Sequence, residues 1–131
     1  MTITGHSLSG IPFTRDECLR LLEKTDVARV LLSVKGLPAA LPARIELAEH
    51  HRLIISSREN AVLLAARRGD VMSLQIDGIG ENDHVWSVTV TGIPAPVSPE
   101  SPESEQFRRR LECGATLVIL PIALVAGHHE L

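Results

Sequence analysis

The chain has 131 residues, 44% of them apolar and 22% charged, with a formal net charge of −3, which excludes a disordered chain and gives none of the basic excess that nucleic-acid binding needs. Its apolar runs fall short of the ~20 residues of a membrane span, and residues 1–10 lack a signal peptide's charged-then-apolar order, so neither membrane nor nucleic acid is an expected partner and a cytoplasmic location is expected. One tryptophan, two phenylalanines and no tyrosine leave the core to Leu, Val, Ile and Ala.

The length suits one domain, expected over 14–131 behind a loose Gly/Ser/Thr-rich arm of 1–13. Thr14-Arg15-Asp16-Glu17 is a capping box, and Cys18, Leu21 and Leu22 follow at helical spacing, which predicts a helix over 15–24. From Val27 the period becomes two: Ala28, Val30, Leu32 and Val34 share one face. After Lys35-Gly36 a second strand to about Leu47 puts Leu41, Ala43, Ile45 and Leu47 on one face, so the pair reads as a hairpin. A short strand over 53–56 leads into a helix over 60–68. Ser56 or Ser57 is placed to cap that helix, and Gly69 to stop it. Strands are expected over 71–76 and 85–90, separated by a loop over 77–84. A proline-rich connection follows, then a helix over 103–112 with Pro102 in its first turn, a sixth strand over 116–125 and a polar tail. Strands one to three are joined too tightly for crossover helices, so the sheet is largely antiparallel, and short strands of this kind close into a small barrel or sandwich.

Several pieces in this order resemble the pyridoxamine 5'-phosphate oxidase-like family, the FMN-binding split barrels. They are the entry helix into Ala28-Arg29-Val30, the Gly36-Leu37-Pro38 hairpin, Leu41-Pro42-Ala43, the short strand entering a helix from Ser56 to Arg68, and Leu74-Gln75-Ile76-Asp77. The most characteristic is Trp86-Ser87-Val88-Thr89-Val90-Thr91-Gly92. The resemblance covers 14–131. It implies a mainly β fold, a six-stranded antiparallel Greek-key split barrel with short flanking helices. It also implies a homodimer that binds FMN, or less commonly a deazaflavin or haem, in clefts at the dimer interface. The apolar run over 116–125, longer than one strand of a small barrel should expose, points to a dimer independently.

A flavin phosphate needs cations and free N–H donors. Arg44, Ser56, Ser57, Arg58 and Asn60, at the entrance to the second helix, supply them, with Trp86 as a pocket wall. The same residues also read as helix caps, solvated cations and core. Arg58→Ala is accordingly expected to weaken FMN more than Arg109→Ala. Relatives often begin this helix with Gly-Ser/Thr-Lys-Leu, whereas this chain has Ala61-Val62-Leu63-Leu64, with Leu63 in place of the Lys. Leu63 is therefore expected to pack into a closed apolar cleft. No nucleophile elbow, Walker loop or dinucleotide fingerprint is present, so redox chemistry would belong to the cofactor and no catalytic side chain is assigned.

Two functions follow: a flavin-dependent oxidoreductase, or a non-catalytic homodimer whose degenerate cleft serves as a binding or regulatory module for a small molecule. His50-His51, His84 and His128-His129 fall in an expected turn, loop and tail. Their spacing matches no zinc signature, so they read as solvated rather than as metal or haem ligands. Arg108, Arg109 and Arg110 read as a solvated helix face. Cys18 and Cys113 each occupy an apolar position of an expected helix and read as reduced packing thiols.

Overall fold

The computed structural model describes residues 10–49, 51–98, 100–107 and 113–130. The elements in chain order are β1 (Ile11–Pro12), α1 (Arg15–Glu23), β2 (Val27–Val34), β3 (Leu37–Ala48), β4 (Arg52–Ser57) and α2 (Asn60–Arg68). They continue with β5 (Met72–Ile79), β6 (Val85–Gly92), β7 (Ala95–Pro96), α3 (Pro102–Gln106), β8 (Thr116–Pro121) and β9 (Leu124–His129).

Local chemistry sets the boundaries. Thr14 Oγ1 accepts from the Glu17 N–H at 3.2 Å while Glu17 Oε1 accepts from the Thr14 N–H at 2.9 Å, closing the expected capping box of α1. That bond to the Thr14 backbone holds the Glu17 carboxyl below its ordinary value of 4.5. Its stabilising effect is therefore complete above that ordinary value and is lost as pH falls through the lowered one. Comparing chemical melts of the wild type and Glu17→Gln, the wild-type advantage should shrink steadily as pH drops below the carboxylate range; an advantage unchanged by acid would contradict the capping role. Lys35 and Gly36 both have positive φ, 52° and 78°, as a two-residue turn of the type that matches strand twist requires. Gly69, at φ 71° and ψ 28°, ends α2.

The described residues form one antiparallel sheet in the order β1-β9-β6-β5-β2-β3-β4-β8-β7. β2, β3 and β4 are hairpin-connected, and β5 returns through α2 to lie beside β2, which is a Greek key. β8 pairs with β4 and β9 with β6, strands far apart in the sheet, yet only Ile122 and Ala123 separate β8 from β9. The sheet must curl until its ends nearly meet, and this segment crosses the gap: the fold is a split barrel.

The expected pairing face is the one buried. Val30 lies opposite Leu41 and Ala28 opposite Ala43, and Ala28, Val30, Ala43 and Ile45 are buried in the barrel core. α1 contributes Cys18 and Leu22, and α2 contributes Val62, Ala65 and Ala66. β4 is buried on both faces: Leu53 and Ile55 point into the barrel, while Ile54 packs outside it with Phe107 and Leu117.

Five expectations need correction. The strands number nine among the described residues rather than six, two of them only two residues long. The run over 116–125 is not one strand: Pro121 ends β8, and the chain then changes sides of the split. Its Leu117, Val118 and Leu120 are buried within the chain, so that run no longer argues for a dimer. His128 and His129 are not in a tail but in β9, opposite Ser87 and Trp86. The expected loop over 77–84 starts late, because Asp77 and Gly78 still pair with β6. Ile11 and Pro12 of the expected loose arm pair with β9; residues 1–9 of that arm, His50 and the arginines 108–110 lie outside the described residues.

Candidate functional site

Antiparallel register aligns one row of side chains across the outer face of four strands. Val27 of β2 lies opposite Arg44 of β3, Arg44 opposite Ser56 of β4, and Ser56 opposite Leu117 of β8. At this row β4 ends and the chain turns into α2. The turn is held from two sides: Ser57 Oγ accepts from the Glu59 N–H at 3.0 Å, and Thr116 Oγ1 donates to the Ser57 carbonyl at 3.2 Å.

The result is a cleft of about 520 Å³ whose walls include Pro42, Arg44, Ser56, Ser57 and Arg58. That volume lies within the range usual for small-molecule sites. Ser56 and Ser57 are each only 5% exposed, whereas Arg44 and Arg58 are exposed. Neither arginine forms an ion pair among the described residues. A second hollow of about 330 Å³, lined in part by Arg29, Ala40, Gln75 and Asp77, shares Val27 and Pro42 with the cleft, so the two adjoin. In it Arg29 is ion-paired to Asp77 and bonded to Gln75.

Four of the six expected site residues thus come together. The other two do not line the cleft. Asn60 is the first residue of α2 and falls just beyond the wall. Trp86, on β6, lines a separate hollow with Phe13, His84 and His129. The capping expectation is also corrected. The N-cap of α2 is Glu59, which makes no side-chain cap bond, and Ser57 serves the turn before it. The cleft wall thus ends at Glu59, the residue before the first turn of α2 and the neighbour of Arg58 in that wall.

Leu63 is displaced from its expected place too. Val62 is the α2 residue fully buried in the core, whereas Leu63 is half-buried in a groove beside Arg67, Val97 and Thr116. This groove touches the cleft only at Ala115. Leu63→Lys consequently buries no lone ammonium, since its chain can extend to water. Its melting temperature should stay within a few degrees of the wild type, and a loss like that of a core substitution would show that Leu63 is packed more tightly than this.

Sequence reasoning missed six cleft residues, Val27, Pro42, Ala43, Glu59, Cys113 and Ala115. Cys113 is exposed at the cleft rather than packed on a helix, whereas Cys18 is buried as expected, and burial pushes its thiol up; both are free thiols. Among the described residues no three His, Cys, Asp or Glu side chains converge as a metal site. No helix is long and apolar enough to cross a membrane.

The model of the family described as pyridoxamine 5'-phosphate oxidase matches residues 14–115. No curated protein matches the chain. Solved structures similar to it include a FAD-binding protein from Mesorhizobium loti, with a TM-score of 0.74 at 18% identity over 92% of this chain and 97% of that one. The FAD-binding protein from Mycobacterium smegmatis has a TM-score of 0.67 at 16% identity, covering 90% and 95%. The FAD and heme binding protein from Mycobacterium smegmatis has a TM-score of 0.72 at 14% identity, covering 91% and 73%.

Proposed function

The chain belongs to the pyridoxamine 5'-phosphate oxidase family, and from that premise we propose that it binds a flavin, with the phosphate held between Arg44 and Arg58 and the ring system extending over Val27 and Pro42 towards Gln75. The observation that carries this reading is the pair of arginines, in no ion pair among the described residues, converging with two buried serines on one cleft. A phosphate monoester bears about −1.5 to −2 charge at neutral pH. Two guanidiniums match that charge, even with the Glu59 carboxylate on the same wall.

FMN is the form proposed, because one arginine pair suits one terminal phosphate. The FAD named for the relatives above makes FAD the second ligand to test. When bound, the flavin would supply redox chemistry, making the protein an oxidoreductase. This chain's own residues bind and orient it: Arg44 and Arg58 fix the phosphate, and the Arg29–Asp77 pair keeps Gln75 positioned beside the adjoining hollow. A homodimer belongs to the same proposal. Val27, at the lip of the cleft, is 60% exposed, and a second chain closing over it would bury it with the flavin.

A second reading is favoured by Glu59 and Leu63, which place a carboxylate in the cleft and no cation one turn into α2. On it, the protein is a binding or regulatory module without redox activity. Purified protein should be yellow, or should bind added FMN or FAD saturably, with light scattering at twice the chain mass. Colourless protein that binds neither flavin would favour the module, and a Soret band would point to haem.

A further inference from the structure

The chain has only three aromatic residues, Phe13, Trp86 and Phe107. Two of them meet in the same hollow, and two histidine rings join them. Phe13, Trp86, His84 and His129 line a cavity of about 300 Å³ on the β6–β9 side of the barrel, sharing no residue with the flavin cleft. The ring centroids of Phe13 and His129 lie 5.6 Å apart, and those of His84 and His129 lie 6.2 Å apart.

The rings are seated by missing side chains. A Cβ on Gly78 would come within 2.8 Å of the Trp86 ring, and one on Gly127 within 3.0 Å of Phe13. Gly78 faces Trp86 across the β5–β6 pair, so the indole lies over bare backbone. The loop that carries His84 makes a tight turn. Asn82 and Asp83 both have positive φ, 62° and 64°, and the Gly80 N–H donates to the His84 carbonyl at 2.8 Å. Asn and Asp are the residue types other than glycine that tolerate this region, so the turn that presents His84 is locally encoded.

Charge then selects the ligand. Glu81 lines the cavity, and no Lys or Arg is among the lining residues. Ring faces with a carboxylate at the rim attract positive charge, and tryptophan is the strongest such face. We propose that this cavity is an aromatic cage for a small organic cation, of the class of quaternary or protonated amines carrying an apolar body. The proposal is independent of the flavin reading, because the two sites share no residue.

Trp86 is the only tryptophan, so intrinsic fluorescence reports this cavity alone. The full-length protein is titrated with benzyltrimethylammonium, with its uncharged isostere neopentylbenzene and with benzoate, and calorimetry confirms each binding curve. Saturable quenching by the ammonium is expected, with the uncharged isostere about tenfold weaker and benzoate weaker still. Glu81→Gln should weaken the ammonium several-fold and leave the isostere unchanged. Phe13→Leu, which keeps the cavity apolar, should weaken the ammonium more than the isostere, with its thermal melt checking that the fold is kept. Equal binding of ammonium and isostere would overturn the proposal in favour of a plain apolar hollow. Absence of any saturable change, in a variant-free protein with an unaltered melt, would overturn it in favour of a ring cluster that only closes the barrel end.

Discussion

Gly92→Ala should be among the most destabilising single-methyl additions in the protein. Gly92 ends β6, and its φ is ordinary, so the alanine suffers no backbone strain of its own. A Cβ there would sit 2.2 Å from the Pro121 carbonyl oxygen and 3.1 Å from Leu120 Cδ1. The first of these is backbone, at the end of β8, and has no rotamer by which to move away. Either β6 or the β8 terminus must shift, and Leu120 is fully buried in the core. Overpacking a site of this kind costs about 3 kcal/mol, equivalent to a fall in melting temperature of roughly 10 °C for a chain of this size. Gly36→Ala is the matched comparison. Its φ is 78° and nothing lies within 4 Å of the added carbon, so it should cost only backbone strain, about 1 kcal/mol. Thermal melts that rank Gly36→Ala as the worse of the two would mean that β6 and β8 do not approach as described.

The second large effect is on ligand affinity. Arg44→Ala and Arg58→Ala should each weaken flavin binding by about 1.5–3 kcal/mol, roughly ten- to a hundred-fold. Both side chains are exposed and, among the described residues, in no ion pair, so neither change should move the melting temperature by more than a degree or two. The double variant should lose less than the sum, because both guanidiniums would address one phosphate. Arg20→Ala, an exposed arginine in the last turn of α1, provides the charge control. Flavin titrations in which Arg20→Ala matches the other two would mean that binding tracks net charge and not this cleft.

Much of this cleft could be read along the chain, and the reason is register. Once the hairpin turn at Lys35-Gly36 is located, alternation dictates which residues of β2 and β3 face outward, and Arg44 follows. Helix α2 was equally legible, because Gly69 and the paired Arg67 and Arg68 mark its end. What could not be read depends on strands distant in sequence. The change of sides at Pro121 has no local cue beyond the proline itself, which is compatible with an edge, a bulge or a strand end. His129 meets His84 only because β9 pairs with β6. The two-residue strands are set entirely by their neighbours. Leu63 was misplaced for a different reason: three consecutive apolar residues do not reveal which of them faces the core, and a small rotation of α2 assigns that place to Val62.

The crossing from β8 to β9 also bears on how the chain is made. During synthesis, β2 to β6 and α2 emerge first and can pair among themselves, while the partners that cover the outer edges of β4 and β6 are still to come. Those partners all lie in the stretch from Thr116 to His129, and Ser57 waits 59 residues for Thr116. Until the stretch arrives, a nascent chain presents two unpaired strand edges with Leu53, Ile55, Val88 and Val90 behind them, the arrangement most apt to join a neighbouring chain's sheet. A stalled or truncated product ending before β8 should therefore be insoluble rather than merely unstable. On the ribosome, the stretch from Thr116 to His129 acts as a single late event that converts an open, sticky sheet into a closed one.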